Sequence, residues 1–506
     1  MEPIAAGSPS QAGPLDGTEI PHIPNKTSPA FEAKPGLKWP GKRLLILIFC
    51  LSLIIRIVYV LVCRINPDQI DYDAVDYEIL ARNVLAGNGF GYGEGKLSSF
   101  RPPLWPYTLA GIYAVFGRSH TAAKLCLALI GSALPILIIL ITRDMLPRRE
   151  SLACGIVVAA YPPLVVMAGD LMTETMFSVL IAAVMLIAVR WKARPHLKLA
   201  IALGAAAGFA ALTRGNALVF IPLLLLWMVA TRGARGLAHA VIVAAAAAAV
   251  LSPWTIRNWR LQYAFVPVSC NSGYIFSISF FPHPISMLKR DRAREYANGV
   301  AQGPVRSEAL YDIVAEDNLT PPDFLRKNMA DRYPDEKPLT TEFELDRFLL
   351  AKSVEFVKAH PHKMALKVLK DFIKFWYFFD SWGNFMPAWA TVMPFVLVGV
   401  FITFHQAKAF ALIYLLLASV ILTVMVFHAA VRFRLPYEPF LLILAVVGSF
   451  RLWSRLRRKW ILCLAFLFIA ALNGLIYTQP HAARSLFRRA ASFVGMEVYP
   501  GEPSSQ

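Results

Sequence analysis

The feature that most constrains this chain is the recurrence of predominantly apolar stretches, some of them short, near the length that crosses a bilayer. About 20 apolar residues in helical conformation span the hydrocarbon. Stretches of this kind occupy 43–63, 122–142, 152–168, 172–190, 197–212, 217–231, 237–256, 388–404, 409–427, 434–450 and 460–477. No single aqueous core could absorb them, because 57% of the 506 residues are hydrophobic, only 17% are charged, and the mean hydropathy is +0.51. Lipid offers the backbone no hydrogen bonds, so each crossing has to satisfy its own. The pattern predicts an all-α polytopic membrane protein of about 11–13 spans.

The formal net charge of +18 would suggest nucleic acid if it formed one soluble face. It does not. Lys42-Arg43, Arg143 with Arg148-Arg149, Arg190/Lys192/Arg194/Lys198, Arg232/Arg235 and the run Arg451, Arg455, Arg457, Arg458, Lys459 sit in short connectors. Basic connectors mark the cytoplasmic side and contact anionic membrane lipids, so a nucleic-acid partner is not expected. The opposite side then receives 64–102, the links near 169–171 and 213–216, the long loop 257–387, the link 428–433 and the C-terminal tail. One further apolar stretch, 103–117 after Pro102-Pro103, upsets this parity if it crosses fully. Either it inserts only partly or one span is miscounted.

The expected organisation is a disordered tail (1–41), an N-terminal membrane module (42–256) containing the outer loop 64–102, and a long outer loop (257–387). C-terminal membrane helices (388–477) and an outer tail (478–506) follow. No cleavable signal peptide is expected, and the six cysteines show neither CxxC pairing nor metal-ligand spacing. Within the long loop, 342–358 and 363–379 are periodic; in the second, Leu366, Leu369, Phe372, Ile373 and Trp376 alternate with Lys363, Lys367, Lys370 and Lys374. Two readings fit: an interfacial helix with lysines toward lipid phosphates, or a helix packed on the protein. The run Phe375–Phe379 reads as an interface belt.

Ionisable groups beside membrane spans are costly and tend to pair or to serve a function. Loop 64–102 carries Asp68, Asp71, Asp73, Asp76 and Glu78. This cluster could be a cation site, a general base or a solvated loop, and it lacks the full calcium-loop pattern. The helical spacing of Ala74, Tyr77, Ala81, Val84 and Leu85 starts a short helix just after Asp73 and places Asp73 at its cap. Arg101 stands directly before a proline-started helix, and arginine offers a planar fork of donors to phosphate.

The arrangement Asp73-x-x-x-Tyr77, Ala81, Gly87-x-Gly89-Phe90 and Arg101-Pro102-Pro103 resembles the first outer loop of the GT-C superfamily. It is most similar to the bacterial protein O-mannosyltransferase and lipid A aminoarabinose transferase group. Further matches follow in order: Asp170-Leu171-Met172-Thr173-Glu174-Thr175, Leu212-Thr213-Arg214-Gly215-Asn216, Pro253-Trp254-Thr255-Ile256-Arg257-Asn258 and Arg432-Phe433-Arg434-Leu435-Pro436. The topology read from the basic connectors puts all of them on one side. The chain is expected to depart from the aminoarabinose group in lacking an outer soluble domain after 477. It also carries Glu174 and Arg214 where some relatives use Asp and Lys.

The resemblance implies a GT-C-type bundle with an outer cap built from the first loop and the long loop. It also implies transfer of a sugar from a polyprenyl-phosphate donor to a lipid, glycan or protein acceptor at the outer face of a bacterial inner membrane. Asp73 is the expected base of an inverting displacement, and Arg101, Arg434 and Arg214 the expected phosphate ligands. Arg432 is expected to be a membrane anchor. Glu174 is expected to orient the acceptor, pair with Arg214, or share a divalent cation with Asp73; oxygen ligands favour magnesium or manganese. Tyr72 and Tyr77 are candidates for the sugar pocket. The competing readings are a multi-span transporter or lipid flippase, which would place its charges near the midplane, and a non-catalytic assembly subunit. Asp73 and Arg101 facing one shared cavity would favour the enzyme.

Overall fold

The computed structural model describes residues 41–63, 73–280, 333–378 and 386–456, with scattered positions elsewhere. Tyr72, both terminal tails and most of the expected span 460–477 lie outside the described residues. The helices are α1 (Lys42–Val58), α2 (Asp73–Leu85), α3 (Leu104–Phe116), α4 (His120–Gly131), α5 (Leu134–Thr142), α6 (Arg148–Ala160), α7 (Pro162–Val166), α8 (Glu174–Ala193), α9 (Leu197–Thr213) and α10 (Ala217–Gln262). They continue with α11 (Ser272–Ser277), α12 (Glu342–Ala359), α13 (Pro361–Trp376), α14 (Pro387–Phe404), α15 (Ala407–Val426) and α16 (Glu438–Arg455). Among the described residues the only β-pairing is one isolated bridge, Gly91 to Leu97. The protein is an all-α polytopic membrane protein.

By length and composition, seven helices among the described residues can cross a membrane, or eight if the bent pair Arg148–Ala160 and Pro162–Gly169 is one span. The figure counts α10 once, yet α10 is two limbs. Gly233 breaks it at φ 55°, ψ −133°. A Cβ on Gly236 would lie 2.1 Å from the carbonyl oxygen of Met228. Eight residues apart on a straight helix are about 12 Å apart, so the chain doubles back at Gly233, between Arg232 and Arg235. The expected separate spans 217–231 and 237–256 are these limbs. The second limb continues to Gln262, so the expected loop start at 257 falls inside a helix.

Small residues set the helix contacts, as they do where lipid gives no hydrophobic drive. Gly204 of α9 faces the Val243 carbonyl and Ala246, and Gly208 faces Val250. The register therefore runs parallel to the second limb. Gly399 of α14 abuts the Leu444 carbonyl of α16, and Gly448 abuts that of Phe395.

The ambiguous stretch 103–117 is α3. Its 13 residues extend about 20 Å, short of the roughly 30 Å hydrocarbon. Both ends are tied to α2: Arg101, ahead of α3, binds Asp73 and Asp76, and Arg118, just past it, binds Glu78 at 2.6 Å. Trp105, Leu109 and Tyr113 pack on Ala74, Tyr77 and Ala81. α3 thus lies along α2 instead of crossing, and α4–α5 (His120–Thr142) can run from the site toward the Arg143 connector with parity intact.

The amphipathic helix α13 divides the two sequence readings between its faces. Leu366, Leu369 and Phe372 are exposed, as an interfacial helix requires. Lys367 instead turns inward, donates to the Met425 and Val426 carbonyls at the end of α15, and pairs with Asp371. It is a helix C-terminal cap, not a headgroup ligand. Phe375 likewise belongs to the core, fully buried, and not to an interface belt.

A leucine at Gly399 must displace the Leu444 backbone. Gly399→Leu is expected to lower the thermal midpoint in detergent, at a cost of about 1–3 kcal/mol. Gly111→Ala, where a Cβ meets nothing within 4 Å inside α3, is the control expected to leave the midpoint unlowered or to raise it slightly. Equal midpoints for the two variants would contradict this packing.

Candidate active site

The first turn of α2 supplies two carboxylates on one side of the helix, Asp73 and Asp76, spaced i, i+3. Both bind the guanidinium of Arg101. Nη2 lies 2.7 Å from Asp73 Oδ1 and 2.6 Å from Asp76 Oδ2, and Nε donates to the same Asp76 oxygen at 3.0 Å. Asp73 Oδ2 accepts a 2.5 Å bond from Arg432, which lies 359 residues further along the chain. The result is a ladder of alternating charge, Asp76–Arg101–Asp73–Arg432. Arg101 also lies 5.7 Å from the ring centre of Tyr77, which is buried.

A second pair stands beside the ladder. Glu174, at the start of α8, accepts from Arg214 at 2.8 Å, and Arg214 also donates to the Thr173 hydroxyl at 3.0 Å. The Phe433 ring lies between the two groups, with the guanidinium carbons of Arg214 and Arg432 each 5.5 Å from its centre. Five separate segments thus converge: α2, the Arg101 strap, the start of α8, the end of α9 and the turn before α16.

Burial alone would push the Asp73 carboxyl up, but Arg101 and Arg432 outweigh it and hold Asp73 well below the usual carboxylate range. Asp76 goes the other way. Burial and the neighbouring Asp73 push it up to about 6, although Arg101 opposes them.

The Arg101 strap is itself braced. Glu342, buried at the start of α12, accepts from the Ser98 hydroxyl at 2.7 Å and the Ser99 amide at 2.5 Å. Arg257 donates to the Ser98 and Phe90 carbonyls and stacks 4.6 Å from the Trp254 ring centre. Just past the strap, Pro103, Leu104, Tyr107, Leu212, Val250, Pro253, Trp254 and Arg257 line an open groove of about 340 Å³.

The structure brings together Asp73, Tyr77, Arg101, Glu174 and Arg214, as the sequence grouped them. It parts company over the late arginines. Arg434, expected at the phosphate, is fully buried within the bundle. It pairs with Glu438 at 2.7 Å, donates to the Phe375 and Tyr377 carbonyls, and lies 3.9 Å from the Trp389 ring centre. Arg432, expected to be the anchor, is the one at the site, with a 41% exposed side chain. The physical reason is the pair of 3-10 turns Val431–Phe433 and Leu435–Tyr437 ahead of the helix, where side chains step by about 120° per residue and positions two apart point to different sides. Asp76 stood only as one member of the acidic cluster and Arg257 only as part of a motif, with no role given to either, and Glu342 was not singled out. Asp76 at i+3 from Asp73 was the available signal; nothing local marks Glu342.

A divalent cation does not fit this donor set. Asp73 and Glu174 each spend oxygens on guanidiniums, and among the described residues no group of three His, Cys, Asp or Glu side chains could hold a metal.

Fold and site together define an all-α polytopic membrane protein whose ion-paired site sits at the ends of its spans. Residues 100–256, about a third of the chain, match the family model described as dolichyl-phosphate-mannose-protein mannosyltransferase. The segment contains Arg101, Glu174 and Arg214, and over it the family resemblance holds. Among solved structures, the archaeal oligosaccharyltransferase AglB from Archaeoglobus fulgidus, in complex with an inhibitory peptide and a dolichol-phosphate, is similar at TM-score 0.48 and 13% identity. That match covers 88% of this chain and 55% of AglB, so this chain spans little more than half of its length. ArnT from Cupriavidus metallidurans in the apo state is similar at TM-score 0.38 and 15% identity, over 80% of this chain and 77% of ArnT. ArnT bound to undecaprenyl phosphate is similar at 0.37 and 14%, over 83% and 82%. No curated protein sequence matches the chain significantly.

Because Arg434 is paired inside the bundle, Arg434→Met strands Glu438 and is expected to cost about 3–5 kcal/mol. Arg432→Gln loses only a part-exposed pair and is expected to stay within about 1 kcal/mol of wild type. Thermal denaturation in detergent compares them, and the reverse order would contradict these assignments.

Proposed function

We propose that the chain is a glycosyltransferase that moves a sugar from a polyprenyl-phosphate donor to a hydroxyl or amine acceptor. The observation that carries this reading is the grip of Arg101 and Arg432 on one carboxylate, Asp73, beside an apolar groove that begins two residues past Arg101. Such a site offers cations to a lipid phosphate, a slot for its prenyl tail and a base for the acceptor. The resemblance over residues 100–256 to a family that uses a lipid-phosphate sugar supports it.

The chemistry follows from the ladder. The donor phosphate takes over Arg101 and Arg432, which releases Asp73 from the two charges that depress it. Asp73 then removes the acceptor proton as the acceptor atom bonds to the anomeric carbon. The bond from that carbon to the phosphate oxygen breaks, and its electron pair leaves on the lipid phosphate, held by the two guanidiniums. Attack opposite the phosphate inverts the anomeric centre. Glu174, positioned by Arg214, orients the acceptor, and Tyr77 lines the sugar side. The reaction takes place on the membrane face opposite the basic connectors, the periplasmic face if the membrane is a bacterial inner membrane.

The test is donor turnover by the purified chain with a panel of undecaprenyl-phosphate sugars and a crude membrane acceptor fraction. Asp73→Asn and Arg101→Ala are each expected to lower turnover by about 100-fold or more while the protein stays folded. Full turnover by Asp73→Asn would remove Asp73 as the base. Uptake of lipid-linked sugar into vesicles without any transfer would favour a flippase instead.

A further inference from the structure

Among the described residues the charges at the site cancel. Glu174 and Arg214 neutralise each other, and the quartet Asp76, Arg101, Asp73 and Arg432 sums to zero when both aspartates are ionised. A neutral quartet has no net attraction for a singly charged phosphodiester, and two of the donors of Arg101 are already spent on Asp76. One positive equivalent is missing.

Asp76 is where it can enter. Its side chain is 2% exposed, Oδ2 takes both bonds from Arg101, and Oδ1 has no hydrogen-bond partner among the described residues. Asp73, by contrast, has each oxygen bound by a different guanidinium. A buried carboxylate with a bare oxygen forfeits hydration without compensation, which favours its neutral form. Among the described residues the groups facing it are Asp73 on α2, Arg101 ahead of α3 and Tyr274 on α11, with Tyr77 against Arg101 and Arg432 beyond Asp73. The upward displacement of Asp76 to about 6 agrees with this.

We infer that Asp76 is a proton-holding positioning residue: an anionic phosphodiester docks on Arg101 and Arg432 together with one proton on Asp76. The proton comes from solvent and settles on Oδ1. It turns the neutral quartet into a singly cationic one and weakens the hold of Oδ2 on Nε and Nη2 of Arg101, so that a ligand oxygen can compete for them. The sign follows directly. At pH values below that of Asp76 the residue is already neutral and docking is at full strength. Above it, docking has to draw a proton in, and affinity falls as pH rises. The inference rests on the reading of Arg101 and Arg432 as the phosphate site.

The test is equilibrium binding of citronellyl methyl phosphate, a phosphodiester that keeps one negative charge throughout, to the purified full chain in detergent at about pH 5 and about pH 8. Wild type is expected to bind on the order of 100-fold more weakly at the higher pH. Asp76→Asn is expected to bind equally at both, near the low-pH strength of wild type, and Asp76→Glu to restore the dependence. A flat wild-type profile overturns the inference, and so does wild-type pH dependence in Asp76→Asn. If Asp76→Asn does not fold, the wild-type profile alone decides. Binding that Arg101→Ala does not weaken, or no binding at either pH, overturns the phosphate reading instead.

Discussion

The structure depends on how a membrane protein pays for gathering six charges, most of them buried or half-buried, at the ends of its spans. An isolated ion there costs several kcal/mol, and pairing offsets that cost only when geometry is good. Asp73 meets the requirement by accepting from two guanidiniums that come from far-apart segments, Arg101 and Arg432. This contact fixes where the first cap helix sits relative to the late turn at 431–433. It also leaves Asp73 ionised and held, a base whose strength rises only when something else takes its partners.

The cap serves the same end. α3 lies along α2 because charges at both of its ends, Arg101 and Arg118, are anchored on α2. The short strap ahead of Arg101 has no regular secondary structure, and Glu342 and Arg257 hold its backbone from two further helices. Arg101 therefore depends on the long loop for its place. Inside the bundle, Arg434 and Glu438 form a second, fully buried pair that joins α16 to α13 through the Phe375 and Tyr377 carbonyls. One arginine faces the site and its neighbour two positions on supports the bundle.

Much of this was legible in the sequence. Apolar length and basic connectors gave the membrane class and the grouping of motifs on one side, because both follow from the solvent and need no tertiary detail. The short helix after Asp73 and the proline-started helix after Arg101 were also legible, since caps and prolines act locally. The fold-back at Gly233 was visible as two apolar stretches split by Arg232 and Arg235. The choice between Arg432 and Arg434 was not, because one 3-10 turn decides it and the sequence shows only two arginines near a proline. Glu342 was invisible for a different reason: its partners, Ser98 and Ser99, lie some 240 residues away. Lys367 misled because amphipathic spacing says which face is polar, and not what meets it.

The most direct test of the central claim is a double-mutant cycle between Asp73 and Arg432, using Asp73→Asn and Arg432→Gln and thermal stability in detergent, a readout that assumes no activity. The account predicts that the two changes are coupled by about 1 kcal/mol, the double variant losing less than the two single losses combined. Losses that add within about 0.3 kcal/mol would mean that the two side chains do not meet, and the site as described would not exist.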